Sequence, residues 1–151
     1  MSRSDGMNYA PEGKPSPVCQ QDDFPFAATH LDHGHIYGQC NGLVEAGGDL
    51  RWVYDPDESK VGAFRSKFPQ AKPAASFEEI LDDASIKLVA AAAIPSERGP
   101  LGCRVMDCGK DYFTDKTPFT TLDQLKQARA TAARTGKKYM VYYSERLHAE
   151  C

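Results

Sequence analysis

Six short apolar runs, near residues 24–31, 50–54, 71–75, 86–93, 111–114 and 139–143, alternate with five stretches of helical period. No other feature of the chain limits its fold so tightly. A strand, a crossing helix and a second strand in one sheet join with right-handed sense, so repetition leaves a parallel sheet covered on both faces. The expected architecture is α/β, a doubly wound parallel sheet in the order 3-2-1-4-5-6, built as a single domain. Helix boundaries are marked chemically: Pro56 and Pro95 suit first turns, and Gly47, Gly109 and Gly136 suit ends. Ser76 with Glu79, and Thr121 with Gln124, have capping-box spacing. The helical stripes predict Ile36, Cys40, Leu43 and Val44 inward, then Val61, Phe64 and Phe68, then Leu101, Val105 and Cys108. The last stripe is Leu125, Ala128, Ala132 and Ala133.

In such a sheet ligands gather beyond the carboxyl ends of the strands. The turn after the first strand, Thr29-His30-Leu31-Asp32-His33-Gly34-His35-Ile36, therefore stands out. A strand that stops there and opens a helix aims backbone N–H groups and the positive end of the helix dipole at one point, which suits a phosphate. The second strand ends on Asp55, 21 residues after Gly34, the separation at which a dinucleotide fold places its ribose-gripping carboxylate. Such a carboxylate favours NAD over NADP, because it repels an added phosphate. Arg51 lies inside the strand, and Lys60 sits a turn into the next helix, too far along to take the place of a neighbouring cation. Asp55 would also serve as a cap for the helix at Pro56.

Charge and composition remove other classes. Eighteen basic and 21 acidic side chains give a net charge of −3 with no basic block, which argues against nucleic acid. No apolar run approaches the roughly 18 residues of a membrane span, and residues 1–5 lack the apolar segment of a secretory signal. Five cysteines without C-x-x-C spacing read as reduced thiols of a cytoplasmic protein. Residues 1–22, with Pro11, Pro15 and Pro17 among polar residues, read as a flexible arm. The dinucleotide domain is expected over residues 23–151.

The turns after strands four and five carry Ile94-Pro95-Ser96 and Asp115-Lys116-Thr117-Pro118. The second of these resembles the Glu-Lys-Pro signature of the glucose-fructose oxidoreductase/inositol dehydrogenase family, Gfo/Idh/MocA. Gly109-Lys110-Asp111-Tyr112, Ile86-Lys87-Leu88-Val89 and Tyr54-Asp55-Pro56-Asp57 resemble further runs of that family, over about residues 24–148. The resemblance implies a Rossmann-like domain that binds NAD through His33, Gly34, His35, Ile36, Asp55, Ile94, Pro95, Asp115 and Lys116. It assigns Lys116 as the catalytic group. It also implies hydride transfer at a hydroxyl-bearing carbon of a sugar or polyol, and leaves a homo-oligomer open. Asp115 is one methylene shorter than the family's Glu, Thr117 displaces the proline by one place, and Ile94 stands where Thr is usual. Gly99 replaces a common histidine, and His30 and Asp32 stand where glycines are expected.

His30, His33 and His35 also suggest a metal. No carboxylate or thiol lies at a recognised offset in sequence, so no metal is expected. In the family a larger domain with an open sheet supplies the substrate pocket, and the chain stops at Cys151. By itself it is expected to be inactive. A non-catalytic dinucleotide-binding or regulatory module is the alternative reading.

Overall fold

The structure is a computed structural model that describes residues 16–20 and 22–143. The greater part of the arm expected at 1–22, and the segment 144–151, lie outside the described residues. The strands are β1 (Pro25–Thr29), β2 (Asp49–Tyr54), β3 (Lys72–Pro73), β4 (Leu88–Ala91), β5 (Asp111–Asp115) and β6 (Tyr139–Tyr142). Between them run α1 (His35–Glu45), α2 (Glu58–Arg65), α3 (Phe77–Asp82), α4 (Pro95–Asp107) and α5 (Leu122–Thr135). All five strand pairings are parallel, and the sheet order is β3-β2-β1-β4-β5-β6. This is the Rossmann-like order expected from the alternation.

Side chains of β1 alternate between two cores, as a strand buried on both faces requires. Phe26 and Ala28 join Ile36, Cys40, Val53 and Phe64 beneath α1 and α2. Ala27 joins Ile80, Val89, Val105, Met106 and Tyr112 on the opposite face, beneath α3 and α4. Residues 16–20 run against the turn after α1, where the Val18 N–H and the Cys19 thiol both donate to Ala46 O.

Several boundaries and faces differ from the sequence reading, each for a local reason. β1 stops at Thr29 instead of residue 31 because His30 takes a φ of 50° and turns the chain out of the sheet. β3 shrinks to two residues, one of them Pro73, which has no N–H for the ladder. Cys108 is exposed, because it is the residue that ends α4; Cys103 and Met106 take the inward positions. On α5 the buried residues are Ala128 and Thr131, and Ala133 is exposed.

The α4–α5 contact solves a problem set by Pro100, which lies inside α4 and lacks the N–H that would reach back four residues to Ser96 O. Gln124 Nε2 donates to that carbonyl at 2.9 Å. The same residue completes the cap of α5: its N–H reaches Thr121 Oγ1 at 3.2 Å, and its Oε1 accepts the Thr120 N–H at 2.8 Å. One side chain thus satisfies groups at the starts of two helices.

Candidate cofactor site

The chain leaves β1 and β4, adjacent at the centre of the sheet, toward opposite flanks. The crevice between their outgoing turns is where a doubly wound sheet takes its ligand. On one side of it lies the turn into α1. Gly34 is the N-cap of α1 with φ −60° and no side-chain cap. Its backbone does not demand glycine, and a Cβ there would meet no atom within 4 Å. The protein's own packing leaves space open above this helix end, as a diphosphate seated on it would need. Ile36 faces the other way: its side chain is buried in the core and its N–H bonds to His33 O at 3.2 Å.

Asp55, at the end of β2, is 5% exposed. Its Oδ2 accepts the Leu31 N–H at 2.7 Å and its Oδ1 the Asp57 N–H at 2.9 Å. The carboxylate therefore ties the turn after β1 to the start of α2. Each oxygen keeps acceptor capacity beyond these bonds, and Asp55 lines a cavity of about 500 Å³ together with Tyr54, Pro56, Val61, Pro73 and Ala74. Lys60 reaches farther than its place in sequence implies. Its Nζ donates to Asp32 Oδ1 at 2.6 Å and stands 3.9 Å from Asp55 Oδ1, and the Asp32 hydrogen bond raises its pKa.

On the other side of the crevice, Ile94 is the 47%-exposed N-cap of α4, followed by Pro95 at the first helical position. Asp115, the last residue of β5, is 1% exposed. Its Oδ1 accepts from His35 Nδ1 at 2.9 Å and from the Lys116 N–H at 2.8 Å. Its Oδ2 lies 3.2 Å from His33 Nδ1 and 3.5 Å from Arg98 Nη2. The turn after β1 and the end of β5, 80 residues apart in sequence, are therefore joined through one carboxylate. Lys116 follows directly, with a cis peptide bond to Thr117.

A family model described as "Oxidoreductase family, NAD-binding Rossmann fold" (Gfo/Idh/MocA) matches residues 27–143. The chain belongs to the Gfo/Idh/MocA oxidoreductase family. Among solved structures, a protein from Erwinia carotovora atroseptica SCRI1043 assigned to the oxidoreductases is 45% identical, with a TM-score of 0.78 over 81% of this chain. GenD2 from gentamicin A biosynthesis, solved with NAD, is 20% identical with a TM-score of 0.71 over 87% of this chain. A point mutant of KijD10, a 3-ketoreductase from Actinomadura kijaniata solved with TDP-benzene and NADP, is 13% identical with a TM-score of 0.68 over 80%. The last two likenesses concern the fold alone. The chain spans 37%, 36% and 38% of these three proteins. No curated protein matches the sequence.

Within this Gfo/Idh/MocA domain, all the candidate residues stand at or next to the carboxyl ends of β1, β2, β4 and β5. The fold brings His33, His35, Asp115 and the Lys116 backbone into direct contact. Asp55 stands apart from that cluster and is tied to it, among the described residues, through the turn after β1. The sequence reading missed Arg98, which is 2% exposed in the first turn of α4. Its Nε donates to Ala93 O at 2.6 Å, and Nη1 donates to Lys116 O and to Thr117 O. The signal was present: a cation at the positive end of a helix is misplaced unless other acceptors claim it. The fold also brings to His33 and His35 a carboxylate, Asp115, that the sequence around them lacks.

Proposed function

We propose that this chain is the cofactor-binding part of an oxidoreductase that moves hydride between NAD and a hydroxyl-bearing carbon of a sugar or polyol. A nicotinamide cofactor, when bound, supplies the ring that accepts or gives the hydride. The rest is the work of this chain's own residues. The N-terminus of α1 at Gly34 and His35 takes the diphosphate, with His33 beside it and Ile36 anchoring the turn in the core, and Asp55 accepts the adenosine ribose hydroxyls. Ile94 and Pro95 line the opposite wall. Lys116, next to Asp115, orients the substrate oxygen and assists its proton transfer. Part of the substrate pocket belongs to a second domain, as the 37% coverage of the Erwinia relative suggests.

The observation that carries this reading is the open space at Gly34, an N-cap that has no side chain to bond the first turn of α1 and whose φ does not demand glycine. Preference for NAD over NADP rests on Asp55. A charge-assisted hydrogen bond contributes about 1.5–3 kcal/mol, so Asp55→Ala is expected to weaken NAD at least tenfold. Lys60, already engaged with Asp32, offers NADP only a shared cation. Calorimetric titration of NAD and NADP against the wild type and Asp55→Ala, with circular dichroism to check folding, tests this. Equal affinities in the wild type, or an indifferent variant, would leave Asp55 a structural cap. Turnover with a polyol panel by a protein that joins this chain to a substrate domain, lost in Lys116→Ala, separates an enzyme from a module that only binds the cofactor.

A further inference from the structure

We propose that His33, His35 and Asp115 form a binding site for one divalent cation of the zinc type. Two imidazoles and a carboxylate are a donor set suited to such an ion. Their ligand atoms all lie within 4.8 Å of one another. Zinc bonds of about 2.0–2.2 Å arranged tetrahedrally set neighbouring donors about 3.4 Å apart. The His33 Nδ1–Asp115 Oδ2 and His35 Nδ1–Asp115 Oδ1 separations, 3.2 and 2.9 Å, are near that edge. These two contacts run to different oxygens of Asp115, and the widest donor separation, up to 4.8 Å, closes by movement of the half-exposed His33 ring.

His33 faces two incompatible partners. Its Nδ1 lies 3.2 Å from the His35 N–H, a donor that needs the ring's lone pair. The same atom faces Asp115 Oδ2 at 3.2 Å, an acceptor that needs a proton. One ring nitrogen meets one demand or the other. A cation between His33, His35 and the carboxylate uses the lone pair and neutralises the facing oxygen.

The carboxylate is also held as metal ligands are held. Asp115 Oδ1 accepts the Lys116 N–H at 2.8 Å, Asp115 is buried, and the His33 and His35 rings meet edge to face at 4.3 Å. Arg98 is the adjacent like charge. Most of its donors are spent on carbonyl oxygens, and its contact with Asp115 is the long one at 3.5 Å. The His33 side chain is 52% exposed, so the ion would be reached from solvent and would keep a coordination position for water or a substrate oxygen.

This site goes beyond the proposed hydride transfer and does not rest on it, because the ion is measured without cofactor. The test is calorimetric titration of chelator-treated chain with zinc, followed by cobalt(II) absorption. The background is Cys108→Ser, since that thiol is exposed. One equivalent is expected to bind, with the visible absorption of a four-coordinate cobalt site, and at least tenfold more weakly in His33→Ala and His35→Ala. His33→Ala changes a half-exposed residue and leaves the core intact. Absence of binding in the background protein, or binding indifferent to both histidine variants, would overturn the site.

Discussion

A guanidinium buried to 2% exposure must find acceptors inside the protein, and Arg98 finds them on two different loops. Ala93 O lies just beyond β4; Lys116 O, Thr117 O and Asp115 Oδ2 lie at and beyond β5. Arg98→Leu would take a donor from the buried Ala93 O and Asp115 Oδ2 and from the part-buried Lys116 O and Thr117 O, at a cost of about 3–5 kcal/mol. A fall of that size in urea-unfolding free energy is expected, and a loss below about 1 kcal/mol would show the loops do not depend on it. His30 carries a second prediction. Its pKa is lowered, chiefly by burial, against the opposing pull of Asp32, Asp55 and Glu97. The folded state then binds fewer protons than the unfolded chain, so this contribution is complete above pH 6.5 and is lost as pH falls below it. His30→Asn tolerates the positive φ and cannot titrate. Its stability is expected to fall less between neutral and mildly acid pH than the wild type's, measured by unfolding midpoints across that range. The strand ends on which the candidate residues sit were legible from the apolar runs and the turns that close them. For Arg98 the helix position hinted that acceptors were needed, but not which ones, because most of them lie at or beyond the end of β5, 17–19 residues on.

At the scale of elements, α4 and α5 depend on each other through Gln124. Gln124→Ala removes an amide that serves the α5 cap and the Ser96 carbonyl left over by Pro100. Each such bond contributes about 0.5–1.5 kcal/mol, so a loss of about 1–2 kcal/mol is expected. Pro100→Ala restores an N–H able to reach Ser96 O, so the same Gln124→Ala change is expected to cost less in that background. A double-mutant cycle with no coupling would break the link. Element type was readable throughout from period and caps. Facing was read less well: Thr131 is buried and Ala133 exposed, because the contact with α4, not apolarity alone, sets the rotation of α5. The third strand was overread, since Pro73 allows only a two-residue edge.

For the molecule as a whole, topology followed from alternation, because right-handed crossovers exclude most other orders. What alternation does not contain is which side chains meet across the crevice, and His35 and Asp115 do so over 80 positions. The sheet order has one more consequence, and it concerns time. β1 is the earliest strand among the described residues and sits at the centre, between β2 and β4. On a ribosome its Phe26-Ala27-Ala28 run pairs early on one edge only. The other edge waits for residues 88–91 to clear the exit tunnel, at about 5–20 residues per second. For several seconds the future centre is a border, with an unpaired apolar edge open to other chains. A nascent chain arrested before Leu88 is therefore expected to be protease-sensitive and bound by chaperones. One arrested after β5 has emerged should be protected, and pulsed proteolysis of stalled complexes would read the difference.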